Sequence, residues 1–356
     1  MAPKRRTAAK ARAARRRRKS RSVLTHPTAV GYRRRAVPTP LLKDGWLIPD
    51  AMWALVEPLL PARKKHPLGC HNPRADDRKA MNTIAFVLRT ATPWHQIPKN
   101  CPDLCGGSSA YRRYHEWKKA GVFKKLWVMA LDECHDHKLL DWRFLVMDGC
   151  ITKAPHGGED TGKNPVDRSK VGTKRSLLTE GNGFPVGLVV AGANRNDCKL
   201  VQATLASMPL RWPRSGDKPL MLMDKGYDSD EVRGILKKHG LKDGIIRRRK
   251  KGEAEPPRKP RTPGHKPRRW VVERTHAWMN CFRRVKTRWE RRSDSYLGML
   301  HLTAALVTFQ RLTGGRGDLS RCNRRRDHAE FIEWEKVPRR ARRTTPQPAW
   351  RLPGAA

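Results

Sequence analysis

The period of the apolar positions changes once along the chain, near residue 141, and the two halves predict different architecture. Before that point the spacing is helical. In "DGWLIPDAMWALVEPLLP" the residues Met52, Leu55, Val56 and Leu59 follow Pro49-Asp50 at steps that put them on one face of a helix. Similar spacing predicts helices over 75–89, 108–119 and 123–139, and so an all-helical region over 45–140. Within it, "SSAYRRYHEWKKAG" sets Tyr111, Tyr114 and Trp117 on one stripe, with Arg112, Arg113, Lys118 and Lys119 beside it. After a serine cap at Ser108, that stripe serves equally a core or, with its basic flank, a DNA groove.

Beyond Asp141, short apolar runs bounded by turn residues predict strands over 144–147, 176–179, 185–191 and 220–223, with a possible fifth over 244–246. Helical spacing returns over 197–206, 228–239, 269–284 and 296–312. Three strands joined by turns such as "TEGNG", then an alternation of strand and helix, predict an α/β domain over 141–314: a mixed sheet flanked by helices.

Outside these periodic stretches charge dominates. Met1 to Lys43 contains no acid, and "ARRRRKSRS" packs like charges too densely to fold, so 1–44 reads as a disordered basic arm. A phosphate clamp, a solvated tail and an organelle transit segment all fit that composition. The Pro- and Lys-rich "RRRKKGEAEPPRKPRTPGHKPRR" reads as a mobile basic loop. The stretch 315–356 reads as a second basic tail, with one short helical segment in "HAEFIEWEK".

Lys and Arg total 77 against 33 Asp and Glu, a formal net charge of +44. An excess of that size favours nucleic acid over an acidic small molecule or a membrane surface, because each neutralised phosphate releases counterions. No apolar run approaches the ~18 residues of a membrane span, and no signal-peptide core follows the basic start, which predicts a cytoplasmic protein associated with the nucleoid. The eight cysteines are scattered and read as reduced thiols. The groupings Cys70-His71 with Cys101 and Cys105, and Cys134-His135 with His137, lack the paired spacing of a zinc site.

Against this basic background three acids stand out. "RFLVMDGC" runs an apolar strand into Asp148, and "LMLMDKGYDSD" runs another into Asp224. Two strands that finish in Asp can set their carboxylates together at the carboxyl edge of a sheet, where open α/β sheets bind their ligands. Glu273, the only acid between Arg258 and Arg288, shares a helix face with Ala277, Asn280 and Arg284 and can point at the same edge. Any one of the three is ordinary as a turn former or ion-pair partner. Together they would repel unless cations intervened. Their natural complement is Mg²⁺, and two such ions about 3.5–4 Å apart can activate a nucleophile and stabilise a leaving oxygen at phosphorus.

Candidate DNA contacts are Lys170, Lys174 and Arg175, placed just before the second strand; Arg269, Arg283 and Arg284 around the third acid; and Arg112 and Arg113 on the basic helix. Trp270 and Trp278 fit core packing better than stacking on an unpaired base, and His156 fits an exposed histidine better than a proton carrier.

At these residues the chain resembles the DDE transposases of bacterial insertion sequences, in the group named for insertion sequence five. "MDGCITKAPHGGEDTGKNPVDRSKVGTKRSLLTEGNGFPVGLVVAGANRND", "DKGYDSDEVR" and "VVERTHAWMNCFRR" resemble the blocks around the family's three acids. "GWLIPDAMWALVEPLLP", "RTATPWHQIP" and "YRRYHEWKKAGVF" resemble the helical region before its catalytic domain. The likeness runs from about Trp46 to Leu312. It implies a ribonuclease-H-like core with Asp148, Asp224 and Glu273 as the acids, binding two Mg²⁺ ions for which Mn²⁺ can substitute. It further implies cleavage by water at terminal inverted repeats in double-stranded DNA, attack of the freed 3′-hydroxyl on target DNA, and a homo-oligomer on paired ends. Arg269 stands four before Glu273 as in related transposases, whereas Lys266 and Asn280 stand where those carry Tyr and Lys. Two other readings remain: a nuclease on the same fold without strand transfer, and a non-catalytic nucleic-acid-binding relic.

Overall fold

The computed structural model describes residues 47–62, 74–98, 100–213, 217–248 and 268–313. The basic arm, most of the Pro- and Lys-rich loop, and the basic tail with its "HAEFIEWEK" segment lie outside the described residues.

The helical half contains α1 (Asp50–Val56), α2 (Asp77–Thr90), α3 (Gly107–Lys119) and α4 (Val122–Asp136). α2 starts where Asp76 accepts the Lys79 N–H at 2.9 Å, which satisfies one of the donors a helix start leaves unpaired. α3 departs from the serine cap expected at Ser108: it starts a residue earlier, after Gly106, with no side-chain cap. Its first residue, Gly107, packs closely on Trp94, where a Cβ would fall 1.6 Å from the carbonyl oxygen. The aromatic stripe on α3 also splits, with Tyr114 and Trp117 buried and Tyr111 46% exposed.

The sheet contains β1 (Phe144–Lys153), β2 (Gly162–Lys163), β3 (Val171–Glu180), β4 (Pro185–Gly192), β5 (Leu220–Met223) and β6 (Lys242–Ile245). Its long strands lie in the order β4, β3, β1, β5, β6, antiparallel between the first three and parallel across the last pairs. This is a mixed sheet flanked by helices, as the sequence predicts. The short β2 pairs with the start of β3 and left no pattern in the sequence.

Two strands are much longer than their apolar runs. β1 continues through Asp148 to Lys153, so Asp148 does not end it; its parallel pairing to β5 stops at Val146, while β3 stays paired from Leu145 to Lys153. β3 begins at Val171 and therefore contains Lys174 and Arg175 instead of following them. Charged side chains interrupt the alternation in both strands, which is why the spacing alone shortened them.

The helices of this half are α5 (Val201–Ala206), α6 (Asp230–Lys238), α7 (Trp270–Asn280), α8 (Arg283–Lys286) and α9 (Ser293–Leu312). The single helix expected over 269–284 breaks at Cys281 and Phe282 into α7 and α8. α9 is buried along nearly its whole length and packs on α4, β4 and α7. A helix apolar all round needs cover on every side, and here α4 supplies one side while the sheet supplies another. One hydrophobic cluster consequently runs from Ile48 through Trp117, Leu145 and Met221 to Leu312. Among the described residues no helix is long and apolar enough to cross a membrane.

Candidate active site

The register between β1 and β5 pairs Phe144 with Leu220, Leu145 with Met221 and Val146 with Leu222. The same offset carried two residues further sets Asp148 beside Asp224, at the place where β5 stops and β1 goes on. Asp148 Oδ1 accepts the Gly149 N–H at 2.8 Å. Asp224 caps a 3-10 turn over Lys225–Tyr227, its Oδ1 accepting the Lys225 N–H at 2.6 Å. Glu273, in the first turn of α7, is 56% exposed.

Arg269 joins the acids. Its Nη1 lies 3.0 Å from Asp224 Oδ1 and its Nη2 lies 3.7 Å from Glu273 Oε1. Burial holds the Asp148 carboxyl above its usual range; the Gly149 N–H and the Arg269 charge oppose this, and the like charges of Asp197 and Glu273 add to it.

The helix that carries Glu273 is bolted to the strand that carries Asp148. Arg175 is fully buried, and its Nη2 donates to His276 Nδ1 at 3.2 Å and to Asn280 Oδ1 at 3.0 Å. A guanidinium has no acceptor to offer, so Nδ1 is the accepting nitrogen and the proton sits on Nε2, which donates to the Asp148 carbonyl at 3.4 Å. Burial, and then the Arg175 charge, push the His276 imidazole down to about 3, which keeps it neutral.

Several residues expected to meet DNA are occupied within the fold. Lys174 is buried and donates to Asp197 Oδ2 at 2.7 Å and to the Arg195 carbonyl at 2.6 Å. Arg175 faces α7, not solvent. Arg284 is buried and paired with Glu290 at 2.6 Å, and Arg113 pairs with Glu116 and, at 3.7 Å, with Asp77. Arg112, Lys170 and Arg283 are exposed, Lys170 lying 3.5 Å from Asp167.

Trp270 departs from the core packing expected of it. It is 44% exposed beside Glu273, and the Arg274 guanidinium lies 4.5 Å from its ring and 4.6 Å from that of Trp278. The exposed His156 meets Trp289. Asn280, placed by its spacing on the Glu273 face, meets Arg175 instead. His276, Asp197 and Tyr227 were not singled out by the sequence.

As they stand, no three Asp, Glu, His or Cys side chains among the described residues converge closely enough to hold a metal ion. Arg269 stands among the acids instead. The donor set nonetheless suits a hard divalent ion, being carboxylate oxygen throughout. Beside it, the buried Asp197 Oδ1 and Tyr227 hydroxyl lack any hydrogen-bond partner. By donor chemistry, Asp148, Asp224 and Glu273 are the residues that would hold such an ion, and Arg269 now pairs with two of them.

Two family models match the chain: "Putative transposase of IS4/5 family" over residues 48–127, and "Transposase DDE domain" over residues 140–308. The first match covers α1 to α3 and the start of α4, and the second holds the sheet with all three acids. A putative transposase of insertion sequence element IS402 from Burkholderia cepacia is 36% identical over 165 residues, which are 44% of this chain and 72% of that protein. A transposase of insertion sequence element IS1106 from Neisseria meningitidis serogroup B is 35% identical over 79 residues, 22% of this chain and 25% of that protein. Among solved structures, the catalytic domain of Mos1 mariner transposase is 10% identical at a TM-score of 0.23, covering 56% of this chain and 92% of that one. That likeness is too loose to carry an argument. The two family matches and the IS402 relative suffice: the chain belongs to the DDE transposases of bacterial insertion sequences, of the IS4/5 type.

Proposed function

We propose that this chain transposes an insertion sequence by cutting DNA at the element's terminal inverted repeats and joining the freed 3′-hydroxyl to target DNA, with Asp148, Asp224 and Glu273 as its catalytic acids. The observation that carries the reading is the β1/β5 register, whose offset continued two residues on would bring Asp148 opposite Asp224. Helix α7 brings the third to the same edge.

Asp148, Asp224 and Glu273 would hold two divalent ions, Mg²⁺ in the cell with Mn²⁺ able to replace it, and these supply activation of the attacking oxygen and stabilisation of the leaving one. The side chains do the rest. Asp148 and Asp224 each accept from the N–H one residue on, which helps to hold their carboxylates in place. Arg175 ties α7 to β3 through His276 and Asn280, and His276 Nε2 reaches on to the Asp148 carbonyl of β1, which would help set the separation of Glu273 from Asp148. Arg269 is a mobile counter-charge that can leave the acids and take up a phosphate.

The substrate is double-stranded DNA, both element ends and target, bound with the excess positive charge of the chain. Exposed Lys170, Arg283 and Arg112 are proposed as backbone contacts, with α1 to α4 as a DNA-binding region in front of the catalytic domain. Two or more copies would assemble on paired ends, in the cytoplasm and on the nucleoid. The test is a labelled duplex carrying the flanking element's terminal repeat, incubated with protein and Mg²⁺, Mn²⁺ or chelator. Ion-dependent cleavage followed by joined products is expected. Cleavage without joining would make it a nuclease, and binding without cleavage a relic.

A further inference from the structure

A fourth acid reaches the same edge from the opposite face of the sheet. Asp197 lies between the end of β4 and α5, and it is the first like charge acting on the Asp148 carboxyl. A Cβ at Gly149 would fall 2.1 Å from Asp197 Oδ1, so the carboxylate occupies the space of a missing side chain next to Asp148. Any residue other than glycine there would expel it. Lys174 holds the other oxygen, Oδ2, at 2.7 Å. Half of the carboxylate is thus anchored, while Oδ1 is buried and bonds to nothing.

Tyr227 gives an independent observation. The residue is 3% exposed, and its hydroxyl has no hydrogen-bond partner. The charges that act on that hydroxyl are, in order, Asp197, Asp148, Cys198 and Asp224. An unmade hydrogen bond at a buried hydroxyl is costly, and at a buried carboxylate oxygen more so. Two buried polar atoms without partners, both under the influence of Asp148, support a place for a polar occupant.

We infer that Asp197 is a fourth carboxylate of the divalent-ion site, anchored by Lys174 and seated on Gly149, with the Tyr227 hydroxyl donating to that ion's water shell. This rests on the proposed catalytic reading. Glu273 approaches over one face of the sheet with α7; Asp197 approaches over the other with the turn before α5. An ion at the edge between Asp148 and Asp224 is then held from both sides. Mg²⁺ sheds its waters reluctantly, so a site for it needs acceptors and donors for bound water as well as direct ligands.

The experiment is Mn²⁺ binding by the full chain, read by calorimetry and by the electron paramagnetic resonance signal of free Mn²⁺, in the absence of DNA. Asp197→Asn, nearly isosteric, is expected to weaken binding at least about tenfold, as loss of an ion-site partner does, with the ion-free melting temperature close to wild type. Wild-type affinity in a folded Asp197→Asn overturns the inference. If that variant does not melt cooperatively, Tyr227→Phe replaces it, since it removes an atom that bonds to nothing in the fold. It is expected to weaken Mn²⁺ measurably, and unchanged affinity overturns the inference. Asp148→Asn separates the two readings. If it abolishes Mn²⁺ binding while Asp197→Asn leaves it intact, the catalytic reading stands and the fourth carboxylate falls; if Asp148→Asn binds like wild type, the catalytic reading falls with it.

Discussion

Arg269 Nη1 lies 3.0 Å from Asp224 Oδ1, so a guanidinium pairs with one of the acids proposed to hold the ion. The same group lies 3.7 Å from Glu273. Arg269→Gln removes it. Both ion pairs are exposed to water, so the stability lost is expected to stay within about 1 kcal/mol. The rise in melting temperature on adding Mn²⁺ should be larger in Arg269→Gln than in wild type, because the ion no longer competes with a resident cation. A smaller rise in the variant would mean that Arg269 helps to build the ion site.

Glu180 closes the turn between β3 and β4 and also ties down the approach to β1. It is fully buried, and its carboxylate accepts the N–H groups of Asp141, Asn182 and Phe184. Charge-assisted bonds of this kind contribute about 1.5–3 kcal/mol each in favourable cases. Glu180→Gln should lose on the order of 2–4 kcal/mol by urea denaturation, more than surface substitutions usually cost. A loss below about 0.5 kcal/mol would show that the turn stands without it.

Arg288 is a second buried hub. It donates to the carbonyls of Glu159, Asp160, Glu290 and Arg291 and to Thr173 Oγ1, tying the loop after β1 to the segment between α8 and α9. Arg288→Ala would leave those acceptors buried and unmade, at a cost of about 3 kcal/mol or more. Hydrogen exchange should rise over residues 154–170 before it rises in α9. Uniform exchange across both would contradict a local tie.

His301 on α9 stacks on Trp127 at 22° and is lowered to about 4, first by burial and then by Lys124. The folded value is depressed below the unfolded one, so the folded state binds fewer protons. The contribution is therefore present above the unfolded value and lost as pH falls towards 4. His301→Phe keeps the stack and removes the titration. Its stability should fall less steeply than wild type between about pH 6.5 and 4. Parallel acid limbs in the two proteins would exclude His301 as the source.

Much of this was legible in the sequence because apolar spacing and a basic background isolate it. β5 was bounded by its apolar run alone, and Asp224 follows it at once. The lengths of β1 and β3 were not legible, since Asp148, Lys174 and Arg175 break the alternation and only pairing reveals them as strand. For the same reason Lys174 and Arg175 read as surface cations when they are buried anchors. A charged residue's fate depends on its partner across the sheet, and no local pattern carries that. Asp197 was hidden differently: its place depends on Gly149, remote in sequence and telling only once the two are seen together.

The central claim is that three acids from two strands and one helix act as one site. It is tested most directly by Glu273→Gln on a duplex carrying the terminal repeat, with binding, cleavage and joining measured in the same Mg²⁺ reaction. The account predicts wild-type binding, and cleavage and joining reduced by at least about a thousandfold, in the range expected when a chemical step loses roughly 4 kcal/mol of transition-state stabilisation. Joined products formed by Glu273→Gln at the wild-type rate would contradict it.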